Sequence, residues 1–312
     1  MSAPSSVVTV GSFDGVHLGH QALIREVCRR ARARQLAAVL VTFEPHPTAI
    51  LAPERPVPRL TVGGERLEIL AELGLDRVHV VRFDGTLATR SAEAFARDVL
   101  VSRWGVQELV VGPDAGFGRD RGGDTTTLPG LGARLGFEVT VVDPVRDANG
   151  DAISSSRIRD VVRSGALDRA ATWLGRPYRL SGQVIRGAGR GGTIGIHTIN
   201  LDGPAPDKVL PPDGVYAAWV EWGGGTAGAM LNQGPRPTVG DTRRSVEAHL
   251  FGFASDLYDR TVRIEWVTRL RDIRRFESLD ALKRQLVQDR DQAMAALSRH
   301  AETSTARPIA AR

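Results

Sequence analysis

Apolar residues in the first half of the chain come in short runs, separated by stretches with helical spacing. Residues 7–10 (VVTV) read as a strand closed by Gly11 and the turn Ser12-Phe13-Asp14-Gly15. From about Gly19 the spacing becomes helical, with Leu23, Val27 and Ala31 four apart on one face. Residues 37–43 (AAVLVTF) form a second apolar run, stopped by Pro45 and Pro47. Further strands are expected at 78–83, 109–111 and 138–142, with helices at 65–73 and 92–100. Strands alternating with helices in this way predict a parallel sheet covered on both faces. Ligands of such sheets sit beyond the carboxyl ends of the strands.

The pattern changes near Gly175. Short strand-like runs follow one another at 179–186, 215–222, 227–231, 246–251 and 261–266, several of them divided by glycine and proline turns. This predicts an antiparallel barrel. A helix is expected at 279–297, with Leu282 and Leu286 on one stripe. The predicted organisation is therefore an α/β domain at 1–175, a β-barrel domain at 176–300 and a frayed tail at 301–312.

Composition narrows the function classes. The chain has 312 residues, 42% hydrophobic and 25% charged, which fits two ordinary globular domains. Its single cysteine, Cys28, excludes an internal disulfide and any multi-cysteine metal centre. No apolar run is long enough for a transmembrane helix, and the start lacks a secretory pattern, so a cytoplasmic enzyme with no membrane partner is expected. The net charge of +5 comes from arginines spread along the chain, without a basic stripe interleaved with aromatics. No nucleic-acid partner is expected. With only two lysines, Lys208 and Lys283, the sequence has no GxxxxGK[ST] phosphate loop.

The strongest chemical signal is GSFDGVHLGH at residues 11–20. It leaves the first strand and enters the first helix, where unpaired N–H groups and the helix dipole favour phosphate. His17 and His20 are three apart and point the same way on a helical turn. Two imidazoles there can donate hydrogen bonds to a phosphoryl group gaining charge. A second serine-rich helix start, ISSSRIR at 153–159, offers an N-cap and the forked donor Arg157. In the second half, GAGRGG at 187–192 satisfies GxGxxG literally, but TIGIHTI follows it. That run is β-rich, so the segment is not a dinucleotide fingerprint.

The HxGH turn resembles the nucleotidyltransferase superfamily, and the longer string resembles its flavin branch, the bacterial riboflavin kinase/FMN adenylyltransferases. The resemblance runs from about residue 7 to 296. It implies a Rossmann-like nucleotidyltransferase sheet joined to a riboflavin kinase barrel, with AMP passing from ATP to FMN to give FAD and pyrophosphate. For that step it implies His17, His20 and Arg157 as catalytic residues. Gly11, Phe13, Asp14, Gly15, Gly19, Ser155 and Ser156 would hold the nucleotide. VTFEPHP at 41–47 supplies His46 to the flavin side. GPDAGFG at 112–118, continuing to Arg121 and Asp124, is similar to the family's GxDFxFGxxRxGD loop and supplies Asp114, Phe117 and Asp124. The usual aromatic of that loop is Ala115 here.

For the barrel, 187–200 resembles the kinase phosphate loop GxxxGRxLGFPTANL. Gly187 and Gly189 would contact nucleotide, and Thr198 and Asn200 would hold Mg²⁺ through oxygen. Glu247, in EAHL, falls where the family places its base, and Arg271 would lie near the flavin. Four positions depart from the family pattern: Gly192, His197, Ile199 and Ile273. Losing the fixed φ of a proline at His197 and an arginine at Gly192 leaves the phosphate loop less preorganised. An active kinase and a degenerate one both remain open on the sequence. So do a paralogue acting on a modified flavin or another nucleoside triphosphate and, in a different class, a non-catalytic flavin-binding regulator. Partners are ATP, FMN and riboflavin, with Mg²⁺ as cofactor; the sequence is compatible with a monomer or a homo-oligomer.

Overall fold

The computed structural model describes residues 5–186, 198–235, 244–253 and 255–303. The chain divides into two compact units, Met1–Arg157 and Ile158–Arg312.

In the first unit the elements run β1 (Ser6–Val10), α1 (Leu18–Arg34), β2 (Ala37–Glu44), α2 (Pro47–Leu51), α3 (Glu65–Ala71) and β3 (Arg77–Arg82). There follow α4 (Gly85–Ala88), α5 (Ala92–Phe95), a π-helical turn (Ala96–Val101), β4 (Val106–Val111), β5 (Gly116–Phe117) and β6 (Gly123–Asp124). The set closes with α6 (Leu128–Leu135), β7 (Glu138–Val141) and the start of α7 (Ser155–Arg163), within which the two units divide. The main sheet has the order β3-β2-β1-β4-β7, and every pairing in it is parallel. Successive side chains point to opposite faces, and both faces are covered. Val7, Ala38, Leu40 and Val110 pack with Ile24, Val27 and Ala31 of α1. Val8, Val39, Val41, Leu109 and Val111 pack with Phe95, Leu100, Leu128 and Leu131. The chain reverses its direction of travel across the sheet between β1 and β4, which places a crevice at their carboxyl ends.

The second unit continues with α8 (Leu167–Leu174), β8 (Arg179–Ile185), β9 (Ile199–Leu201), β10 (Gly214–Trp222), β11 (Gly225–Pro235), β12 (Arg244–Leu250), β13 (Thr261–Arg271) and α9 (Leu279–Thr303). Strands β10-β11-β12-β9-β8-β13 close into an antiparallel barrel, as the run of short strands predicts. Tyr216 pairs with Leu231 and Leu231 with Ala248, all fully buried. On the other face Val215, Ala217, Trp219, Met230 and Val267 pack against Ala293, Ala296 and Leu297 of α9. The last helix is longer than its pattern predicts. It extends through residues 301–303, assigned to the tail by sequence, because Ala301 still packs on this cluster. The two-residue strands β5 and β6 and the three-residue β9 are too short to carry a periodic signal, whereas helix α6, with Leu128, Leu131 and Leu135 at helical spacing, is an element that the sequence reading passes over.

Candidate active site

The turn after β1 is built to present two histidines. His17 is the N-cap of α1: its Nδ1 accepts the backbone N–H of His20 at 3.4 Å. Its ring stacks on that of His20 with centroids 3.7 Å apart and planes at 21°. Phe13 meets His20 edge-on at 5.1 Å. A Cβ at Gly19 would come 3.1 Å from the His17 ring and press on it, so glycine leaves the stack undisturbed.

The turn itself is strained. Phe13, Gly15 and Val16 have φ of 50°, 79° and 41°, a region that costs a β-branched residue such as Val16 energy. The strain is held by Asp14, whose carboxylate accepts the amides of Leu60 (2.9 Å) and Thr61 (3.0 Å) and the Thr61 hydroxyl (3.2 Å). Thr61 Oγ1 in turn accepts the Gly15 N–H at 3.1 Å. Arg66 adds a tie from the side of β2, donating to the carbonyls of Ser12 and Phe43 and to Glu44.

A cleft of about 490 Å³ opens at the carboxyl ends of β1, β4 and β7. Gly11, Phe13, His17, Gly19 and His20 line it from the first turn, and Asp114 and Arg121 from the loops after β4. Asp143 follows β7, and Ser154, Ser155 and Ser156 bring the start of α7 to the same cleft. Ser154 caps this helix by accepting the Arg157 N–H at 3.4 Å. The Ser155 hydroxyl donates to the Asp14 carbonyl at 2.9 Å, so two helix starts abut at one wall.

Several sequence-expected residues are placed elsewhere. Arg157 does not line the cleft. Its guanidinium donates to the carbonyl of Ala152 (2.7 Å) and to the carboxylates of Asp147 (2.8 Å) and Asp151 (3.1 Å). Asp147 also accepts the N–H groups of Asn149 and Asp151. Burial opposes its charge, but these bonds outweigh it and hold the carboxyl below its usual value. Asp14 and Gly15 shape the turn from beneath and do not line the cleft. His46 caps α2, accepting the Thr48 N–H at 3.3 Å. Phe117 is buried beside Phe95 in the sheet core. Asp124 caps the Thr126–Thr127 turn, and the Thr126 hydroxyl leads the bonds that bring its carboxyl down to about 2. Asp114 and Ala115 do line the cleft.

In the barrel, Glu247 pairs with Asn200 on one side and with Asn232 on the other. Directly opposed residues share a face, so Asn232, Glu247 and Asn200 form a polar row across three strands. Asn232, in β11, is not among the residues expected from sequence to act. Thr198, next to β9, lines a second pocket of about 230 Å³ with Asp256 and Tyr258. The Arg186 guanidinium lies 4.8 Å from the Tyr258 ring centre. Arg271 is bound to the fully buried Asp289 of α9, at 2.9 Å through Nε and 2.7 Å through Nη2. Ile273 is half exposed and covers Gly234. Gly187, Gly189, Gly192 and His197 lie outside the described residues.

The FAD synthetase family model matches residues 1–157 and the riboflavin kinase family model residues 174–297. A bifunctional riboflavin kinase/FMN adenylyltransferase of Escherichia coli (strain K12) is 39% identical over 284 residues, 91% of this chain and 90% of that one. The protein of the same name from Bacillus subtilis (strain 168) is 33% identical over 294 residues, 93% and 92% of the two chains. A crystal structure described as a macrolide-efflux protein from Streptococcus pneumoniae superposes with a TM-score of 0.83. It is 33% identical, and the match covers 94% of this chain and 95% of that one. Among the described residues no helix is long and apolar enough to cross a membrane. With both halves matched and such identity along nine-tenths of its length, the chain belongs to the bifunctional riboflavin kinase/FMN adenylyltransferase family.

Proposed function

We propose that the first unit joins the AMP moiety of ATP to FMN and that the barrel makes FMN from riboflavin. The observation that carries the first activity is the stacked His17–His20 pair at a helix start, in a cleft shared with the start of α7. An oxygen of the FMN phosphate attacks the α-phosphorus of ATP, and the bond to pyrophosphate breaks. The nucleophile is already ionised, so no base is required. Catalysis is positioning together with hydrogen bonds to the charge that develops on the transferred and leaving phosphates. The imidazole N–H groups and the amides opening α1 and α7 supply those bonds.

In the barrel, Glu247 takes the proton of the riboflavin 5′-hydroxyl as that oxygen attacks the γ-phosphorus, and ADP leaves. The Thr198 hydroxyl and the Asn200 carbonyl are neutral oxygen donors of the type Mg²⁺ accepts. Asn200 shares a face with Glu247, so the two positions fit a cation held beside the reacting phosphates. When bound, that cation neutralises phosphate charge. The soluble substrates and the single thiol, Cys28, support a cytoplasmic location.

Purified protein supplied with riboflavin, ATP and Mg²⁺, followed by chromatography, tests both halves. FMN and then FAD are expected. FAD from supplied FMN with no product from riboflavin would mean that only the first unit is active. Flavin binding without pyrophosphate release would return the regulator reading.

A further inference from the structure

The polar row of the barrel extends two strands beyond Asn232. Val215 pairs with Asn232 on one side and with Arg271 on the other, so Arg271 stands on the same face as Glu247 and Asn200. Arg271, expected beside the flavin, is turned to α9. Its Nε and Nη2 donate to the fully buried carboxylate of Asp289 at 2.9 and 2.7 Å, and its Nη1 donates to the Asp272 carbonyl at 2.8 Å. The Gln285 amide donates to Asp289 Oδ1 at 2.7 Å, and Arg274 donates to Gln285. One turn of α9 is thereby tied to the end of β13 and the segment after it.

The tie falls at a boundary. Val215, Ala217, Trp219 and Met230 seat the apolar side of α9, and a Cβ on Gly228 would come 2.8 Å from Leu297. Gly228 in turn pairs with Trp219. From Leu297 back to Asp289 is eight residues, about 12 Å of helix. From Trp219 back to Val215 is four residues, about 13 Å of strand. So α9 follows β10, and Asp289 arrives where the apolar seat gives way to Asn232 and Glu247.

Stability alone does not call for an ion pair there, because well-packed apolar side chains of similar size are often as good or better in a buried place. A carboxylate gripped by a guanidinium fork adds something else, a bond that forms at one separation and orientation only. We propose that Asp289 is a positioning residue for riboflavin phosphorylation: through Arg271 it fixes α9 as a wall beside the Asn232–Glu247 row. With the cation held at the Asn200 end of that row, the flavin alcohol reaches Glu247 from the α9 side. The assignment rests on the phosphorylation reading above.

The test is steady-state kinetics of both reactions on the full chain, together with thermal melts. Asp289→Asn loses the charge and half of the fork. The KM for riboflavin should rise about tenfold while the KM for ATP stays within about twofold. FAD formation from supplied FMN should not change. The double variant Arg271→Leu/Asp289→Leu removes both charges together, so it should melt as the wild type does and yet keep the raised KM. A double variant with the wild-type KM would make the pair a stabilising contact only and overturn the assignment. So would a wild-type KM in folded Asp289→Asn, or a fall in kcat alone that tracks a lower melting temperature. If the wild-type chain makes no FMN from riboflavin and ATP, the phosphorylation reading fails and the positioning role with it. If it does and both variants keep its KM for riboflavin, only the role of Asp289 fails.

Discussion

His17 accepts a hydrogen bond from the backbone N–H of His20 while its ring stacks on the ring of the same residue. One histidine therefore caps the helix and also fixes the plane of the other. Replacing His20 by alanine should slow FAD formation at least a hundredfold, about 2.7 kcal/mol of transition-state stabilisation. His17→Asn keeps a capping side chain, so it should fold normally and still lose most of the activity. Product chromatography with thermal melts separates the two effects, and near wild-type turnover in folded His20→Ala would remove it from the mechanism.

Arg157 is engaged with Asp147 and Asp151, and that engagement closes the turn leading into α7. Asp147→Ala should reduce FAD formation about tenfold by loosening the Ser154–Ser156 wall, with the rise mainly in the KM for ATP. Phosphorylation of riboflavin should be unchanged. Kinetics of the two reactions on one preparation check this; a fall in both would point to general unfolding instead.

Glu247 and Asn200 oppose each other across β9 and β12. Glu247→Gln retains the shape and a polar contact but cannot take a proton. Riboflavin phosphorylation should fall at least a hundredfold, within the usual contribution of a general base. FAD formation from supplied FMN should not move. A variant that still phosphorylates riboflavin at the wild-type rate would exclude Glu247 as the base.

Glu108 is buried in β4 and accepts from Arg30 (2.5 Å), Arg34 (3.0 Å) and the Thr140 hydroxyl (2.7 Å). Burial pushes its carboxyl up, but the Thr140 and arginine bonds outweigh burial and hold it below the ordinary value of 4.5. A depressed carboxyl stabilises the fold above its unfolded pKa, and that contribution is lost as pH falls through the folded value. Glu108→Gln should therefore cost about 1–3 kcal/mol at pH 7. The cost should shrink as pH falls below about 4, near the carboxyl range. Urea unfolding at both pH values measures it; an equal loss at each would mean that the charge is not the source.

Much of this was legible before any coordinates, for identifiable reasons. A strand buried on both faces, such as residues 37–43, announces itself as an apolar run, and the HxGH turn lies within ten residues of chain. Partners distant in sequence leave no local trace. Nothing near Asp14 indicates that its carboxylate seats on the amides of Leu60 and Thr61. Likewise the direction of Arg157 depends on Asp147, ten positions earlier, and not on the serine run beside it. The barrel strands were readable as short runs, whereas β9, at three residues, is too brief for alternation to register. The pairing of Asn232 with Glu247 likewise appears only once the register of β11 and β12 is known.

The tethering of Asp14 bears on the order of events during synthesis. Its carboxylate seats on backbone 46 positions downstream, and its carbonyl awaits a hydroxyl 141 positions away. A nascent chain that has released only the first strand and helix carries both histidines but lacks the anchors that orient them. The turn that carries both histidines is thus completed late, once Leu60, Thr61 and finally Ser155 have emerged.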